Sequence, residues 1–269
     1  MSRSPSRRMA RRGVWTEVWD ARELLYRLTE RALKVKYQRS VLGFVWTLLN
    51  PLLVVGVLAT VFTHVVRIDL PHYLAFLVSG YFAWNFLLQT LSGSTFIFAE
   101  HAQLSRSVAF PKVVPVLAMT AAKLIEFALE MLLVLVGVVW LHHHAVPASF
   151  VLLPWLLLMQ ILVALGLSFP IAALAVFYQD VQHALPIALT VLFYVSPVFY
   201  PANLVPGALR DAYLINPVAQ VLTAYHTIVY DGQFPSMESV AGLTGTAIVL
   251  MGVGYAIFRR HETAIAEVV

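Results

Sequence analysis

The sequence predicts an all-α integral membrane protein. It has six transmembrane helices, an amphipathic interface helix ahead of the first, and an external re-entrant segment between the fifth and sixth. Three observations predict it. Of 269 residues, 60% are hydrophobic and 12% charged, with mean hydropathy +0.79, against about 45–50% apolar and about 25% charged in a soluble domain. The few charges leave uncharged runs able to cross about 30 Å of hydrocarbon, which takes about 20 helical residues. Finally, 11 of the 18 Lys and Arg fall in residues 1–40, and basic residues close to a span mark its cytoplasmic side.

Residues 1–40 form a basic cytoplasmic N-terminus and interface helix. Within 15–37, Trp15, Val18, Trp19, Leu25, Leu28 and Leu33 recur at helical spacing among Arg22, Arg27, Arg31, Lys34 and Lys36. That pattern suits a helix lying at the headgroup level, with Trp15, Trp19 and Tyr37 as anchors and Arg27, Arg31, Lys34, Lys36 and Arg39 towards phosphates. A helix packed on a soluble partner is compatible with the same pattern. Nucleic acid is a poor reading of this basic stretch, because it runs straight into a span. A signal peptide is not expected either, since the first apolar run begins only at Val41 and lacks a small-residue cleavage site.

The transmembrane domain covers 41–258. Residues 41–66 carry no formal charge, and Arg67, Asp69 and Pro71 end the run. Residues 72–99 form the second span and 100–112 a cytoplasmic loop. Residues 113–141 form the third, with Lys123, Glu126 and Glu130 inside it; His142, His143, His144 and Pro147 make the following turn. Residues 150–178 are the fourth. The fifth runs from about 183 to 195, after which Pro197, Pro201 and Pro206 prevent a regular helix. Residues 240–258 are the sixth, stopped by Arg259 and Arg260, and 259–269 form a cytoplasmic tail. Residues 212–230 are uncharged and long enough for a seventh crossing. That crossing would place Arg259 and Arg260 outside, and Asn216-Pro217, Gln220, Tyr225 and His226 suit a re-entrant element better. The segment 200–232 is therefore expected outside, with both termini inside.

The chemistry is sparse. With no cysteine, disulfides, thiol nucleophiles and iron–sulfur clusters are excluded. No phosphate-binding glycine loop exists, and Gly252-Val253-Gly254 lacks the third glycine of a dinucleotide motif, so no nucleotide site is legible. Adjacent His142, His143 and His144 point about 100° apart on a helix and cannot converge on one ion; no metal site is expected. Lys123, Glu126 and Glu130 share one helix face at i, i+3 and i+7. Each charge costs about 2.5–3.5 kcal/mol at the bilayer centre, so they should face protein or water and pair. An ion pair joining helices and a proton relay or polar lining are both readings of them. The aromatic groups Phe44 and Trp46, Tyr81 to Phe86, and Phe193 to Tyr200 fit belts and helix packing, or rings that stack on sugar.

Several motifs are specific. Arg22-Glu23-Leu24-Leu25, Lys36-Tyr37-Gln38-Arg39-Ser40-Val41-Leu42-Gly43-Phe44-Val45-Trp46 and Leu49-Asn50-Pro51-Leu52 come first. Gly80-Tyr81-Phe82-Ala83-Trp84-Asn85-Phe86, Val108-Ala109-Phe110-Pro111-Lys112, Phe177-Tyr178-Gln179-Asp180-Val181, Ser196-Pro197-Val198-Phe199-Tyr200 and Asn216-Pro217 follow. In this order, over nearly the whole chain, they resemble bacterial ABC-type polysaccharide export permeases, the membrane subunits of O-antigen, teichoic acid and capsule exporters. Two positions depart from that family's pattern: Gln179 stands where an Arg is usual before Asp, and His226 where an Arg is common. Both remove a fixed positive charge.

The resemblance implies a permease that is not itself an enzyme, in the bacterial plasma (inner) membrane. Two copies form one pathway, and two copies of a separate ABC ATPase, which hold the ATP and Mg, dock beneath. The chain itself is expected to bind no cofactor and no nucleic acid. The implied cargo is polysaccharide on undecaprenyl diphosphate, moved outward past the first and fifth spans. The loop 100–112 would couple the ATPase to the membrane helices, with Glu100, Leu104, Arg106, Phe110, Pro111 and Lys112 as its contacts. On the first span Phe44, Thr47, Pro51 and Val54 recur at helical spacing. With Phe193, Tyr194 and Pro197 on the fifth, they are expected to line the path. The alternatives are a related ABC exporter for another lipid or a drug, and a polyprenol-processing membrane enzyme; the latter should show an acid or histidine constellation, whereas Asp69, Asp180, Asp211 and Asp231 are isolated.

Overall fold

A computed structural model describes residues 14–37, 43, 45–101, 110–141, 146–206, 213 and 215–268, and of residues 14, 15, 17, 37, 141, 267 and 268 only the backbone. Among the described residues there is no strand. A short helix α1 (Val14–Asp20) leads into α2 (Arg22–Tyr37). Then come α3 (Val45–Thr60), prolonged by a π-helical turn at Val61–Val65, and α4 (Tyr73–Ser94). The one-turn helix α5 (Ile97–Glu100) precedes α6 (Val113–Leu141). A 3₁₀ turn, Ala148–Leu152, opens α7 (Leu153–Phe177), and α8 (Asp180–Val195) follows. After a 3₁₀ turn at Ala202–Leu204, α9 (Pro217–Tyr225) runs into a π turn, His226–Tyr230, and α10 (Met237–Val268) closes the chain.

Among the described residues, four segments are long and apolar enough to cross a membrane: Val45–Val65, Tyr73–Ser94, Ala148–Phe177 and Met237–Ala266. The chain is thus a multi-pass helical membrane protein. The other two expected spans are α6 and α8. Helix α6 has the length, 29 residues, and carries Lys123, Glu126 and Glu130 within it. Helix α8 is apolar but has 16 residues, or about 24 Å at 1.5 Å per residue, less than the roughly 30 Å of hydrocarbon.

Helix α4 is the hub. It is apolar on every side, as a helix surrounded by others should be, with Leu77, Phe82, Phe86 and Leu87 fully buried. Around it pack Phe127 and Met131 of α6, Leu156 and Val163 of α7, and Val218, Leu222 and Tyr225 of α9. Helix α9 starts where the sequence dictates. Asn216 Oδ1 caps it by accepting from the Val218 N–H at 3.0 Å, and Pro217 occupies the first turn, where its missing N–H costs nothing. Asn216 Nδ2 also donates to Ser196 Oγ at 3.0 Å, joining the Ser196-Pro197 and Asn216-Pro217 motifs. The segment 217–230 is therefore buried in protein. The Ile228 carbonyl in its π turn accepts from the buried Ser149 Oγ at 2.8 Å.

A second core lies at the opposite end, where Leu28 meets Phe98, Val114, Phe169, Phe258 and Ile265. Helix α2 lies along α6 rather than apart from the helix bundle. Thr29 Oγ1 donates to the Ala118 carbonyl at 3.4 Å, and seven residues later Lys36 Nζ reaches Glu126 at 2.8 Å. The two helices thus run in the same direction over two turns. The apolar stripe Leu24, Leu25 and Leu28 covers this chain's own core.

Candidate translocation site

Six polar side chains from α2, α4 and α6 meet inside the apolar bundle. Glu126, 3% exposed, accepts from Lys36 Nζ at 2.8 Å and Lys123 Nζ at 3.3 Å. Lys123 also donates to Gln89 Oε1 at 3.0 Å. One turn on, buried Glu130 accepts from Asn85 Nδ2 at 3.1 Å. The charges on α6 face protein, as their desolvation cost demands. Lys123 and Glu126 pair with each other, whereas Glu130 bonds to Asn85, and Lys36 enters from the helix expected at the headgroups. Each carboxylate finds its donor locally, the arrangement of an ion pair that joins helices. Sequence spacing could not find Lys36, Gln89 or Asn85, because these contacts span 34 to 90 residues. Among the described residues no cluster of three potential metal ligands exists.

At the other end, rings from α4, α8 and the segments that follow α3, α8 and α9 form a continuous group. Phe62 lies 4.9 Å from Phe199, which lies 5.4 Å from Phe193 and 5.9 Å from Tyr194. Trp84 sits 5.5 Å from Phe193. Tyr73 donates to the Phe199 carbonyl at 2.7 Å, and Phe76 stacks on His226 at 3.9 Å. Gly80 makes room for that imidazole, because a Cβ at position 80 would collide with His226 Nε2. Phe62, Tyr73 and Phe76 were not singled out in the sequence; their only signal is an aromatic near a helix end.

The expected path residues divide. Thr47, Pro51 and Val55 form the buried face of α3, and Pro197 is also buried. The opposite face of α3 exposes Trp46, Leu53, Val54 and Val57, and α8 exposes Ile187, Val191 and Tyr194; Leu189 is the buried residue of α8. Phe193 is half-buried among the rings. Val54 and Tyr194 thus lie on open apolar faces, while Thr47, Pro51 and Pro197 are turned into the chain. A hydroxyl and a carbonyl freed by proline are better satisfied there than in lipid. Phe44 lies outside the described residues.

The expected coupling contacts divide similarly. Glu100 is exposed and Pro111 half-buried, but Phe110 and Lys112 are buried. The Lys112 ammonium sits 4.8 Å from the Phe110 ring centre. Burial pushes its pKa below the ordinary lysine range, and Glu262 on α10 opposes that shift. Leu104 and Arg106 lie outside the described residues, as do Arg39 and the tract His142, His143 and His144. On α2, Trp19 is exposed with the Arg22 guanidinium 5.4 Å from its ring centre. Arg27 pairs with Glu23 at 2.9 Å and Lys34 with Glu30 at 2.5 Å, raising the Arg27 pKa and lowering that of Glu30. Such exposed pairs add little stability. Arg31 is exposed; the side chains of Trp15 and Tyr37 are not described.

Comparison with known proteins bears on this arrangement. The chain is 30% identical over 257 residues to the O-antigen export system permease protein RfbA of Myxococcus xanthus, covering 93% of this chain and 97% of that one. It is 27% identical over 247 residues to the RfbA protein of Klebsiella pneumoniae, covering 91% and 95%. Similarity at 22% over 241 residues extends to the polysialic acid transport protein KpsM of Escherichia coli, covering 87% and 92%. The profile of one family, ABC-2 type transporter, matches residues 23–230, from the start of α2 through the π turn after α9, so the chain belongs to the ABC-2 type transporter family.

Proposed function

We propose that this chain is the permease subunit of an ATP-driven exporter that moves polysaccharide, carried on undecaprenyl diphosphate, outward across the bacterial plasma membrane. The observation that carries the reading is similarity along almost the full length of both chains to a permease named for O-antigen export. In this reading α6 and α8 cross the membrane with the four longer segments, giving six crossings, both termini inside, and 200–232 folded back into the outer leaflet. Two copies apply the open faces of α3 and α8 to each other about a two-fold axis. A sugar chain needs a protein-lined path, and a pair can enclose one. Val54 and Tyr194 face that path, and the ring group around Phe199 stands at its outer end. ATP and Mg are held by two separate ATPase subunits, which meet the chain at Glu100, Leu104 and Arg106. Phe110 and Lys112 anchor that loop from within.

Deleting the chain is expected to remove the polymer from the cell surface and leave lipid-linked polymer inside, as fractionation and blotting would show; unchanged surface polymer contradicts the proposal. Topology is tested separately, since the native chain has no cysteine. An impermeant maleimide should label Asn203→Cys from outside and Ala266→Cys only after the membrane is opened. The reverse pattern contradicts the six crossings.

A further inference from the structure

A cavity of about 150 Å³ lies among α9, the first turn of α7 and the segment entering α10. Gln220, Thr223 and Thr227, at i, i+3 and i+7, make a polar stripe on one side of α9 and its π turn. The other side buries Val221, Leu222 and Tyr225. Facing the stripe are the rings of Trp155, Tyr213 and Phe234. The indole of Trp155 is held by donation to Thr244 Oγ1 at 3.3 Å. Phe234 is 58% exposed, and its loop is tied back by the Gln233 N–H donating to the Thr227 carbonyl at 2.9 Å.

The chemistry of the lining selects a ligand class. Among the described residues no lining side chain carries a charge, so none of them offers a phosphate or an ammonium headgroup a counter-ion. The volume is several times the roughly 10–15 Å³ that one water needs, and below the roughly 300 Å³ of a drug-sized pocket. It suits one small ring. Aromatic faces on one side and neutral hydroxyl and amide groups on the other match a ring with an apolar C–H face and a hydroxylated edge. We propose that this cavity is a subsite for one neutral sugar residue, with Trp155 and Phe234 stacking on the ring and Gln220 and Thr223 hydrogen-bonding its hydroxyls. The proposal rests on the export reading, which places this end of α7, α9 and α10 outside, where polymer would emerge.

Ser239, exposed at the rim, becomes the sole thiol in Ser239→Cys. Spheroplasts carrying this full chain with its ATPase are treated with an impermeant maleimide in the presence of mannose, galactose, rhamnose or N-acetylglucosamine, with glycerol phosphate as the headgroup control. At about twice its dissociation constant, a bound sugar should slow labelling about threefold by mass action. Adding Trp155→Leu should abolish the protection, and Trp155→Phe should restore it. No labelling from outside, no protection by any sugar, or equal protection by glycerol phosphate overturns the subsite. Surface polymer is scored on the same cells: polymer export without sugar protection rejects the subsite alone, whereas export that does not depend on the chain rejects the function on which it rests.

Discussion

Glu126→Ala is expected to destabilise the chain by about 3–5 kcal/mol, the cost of breaking a buried ion pair from one side. The carboxylate is nearly inaccessible, and two ammonium groups, those of Lys36 and Lys123, converge on it. Removing it leaves two like charges facing each other, with Gln89 still accepting from Lys123. The Lys36 side chain is 37% exposed and can swing towards water, which places the loss at the lower end of that range. Even so, it is a large share of the roughly 5–15 kcal/mol that holds a folded domain. Folded yield and unfolding midpoint of the detergent-purified protein measure it. Combining Glu126→Gln with Lys36→Met should cost less than the sum of the two single changes, since the second removes a charge that the first has stranded. Strict additivity would show that α2 is not tied to α6 through this pair.

Gly254→Val should abolish most folded protein, and Gly166→Ala should lower its yield strongly. Helices α7 and α10 touch backbone to backbone at these glycines, the close approach that small residues allow in membranes. A Cβ on Gly166 would lie 2.6 Å from the Leu250 carbonyl carbon and 2.7 Å from the Met251 nitrogen. One on Gly254 would collide with the Gly166 carbonyl oxygen. Neither obstacle is a flexible side-chain tip, so a helix must shift, at about 1–3 kcal/mol or more for such overpacking. Two residues away, nothing lies within 4 Å of a Cβ on Gly252, and Gly252→Ala should raise stability by up to about 1 kcal/mol through helix propensity alone. Opposite signs at positions 252 and 254 in a thermal unfolding series would establish the contact; equal effects would contradict it.

What the sequence made legible follows from the range of the forces involved. Hydropathy reports desolvation residue by residue, so the long apolar helices, the break at Arg67 and the proline-terminated end of α8 at Val195 could all be read from it. The start of α9 is local capping chemistry at Asn216 and Pro217, although in the sequence that pair marks only a re-entrant element. Packing direction was not legible. Thr47 and Pro51 share helical spacing with Val54, yet the structure buries the first two and exposes the third, and a uniformly apolar helix gives no pattern by which to choose a face. The same blindness applied to α2, whose amphipathic stripe fits a lipid surface and a protein groove equally well. Lys123 and Glu126 could be paired from their spacing, but Lys36 could not, because 90 residues of chain separate it from Glu126. Phe110 and Lys112 read as surface contacts because they border a charged loop. Burial of Lys112 beside Glu262 of α10 depends on the fold bringing the middle of the chain to its last helix.

The central claim, export of lipid-linked polysaccharide driven by a separate ATPase, is tested most directly in sealed vesicles. The purified chain is reconstituted with its ATPase so that nucleotide sites face the bath, and undecaprenyl-diphosphate-linked polymer is supplied in the outer leaflet. A polymer-cleaving glycosidase added to the bath reports what remains outside. The account predicts that ATP and Mg together render polymer inaccessible to the enzyme, and that the chain without its ATPase, or the pair without ATP, leaves it fully cleavable. ATP hydrolysis with no polymer protected, or protection that needs no ATP, would contradict it.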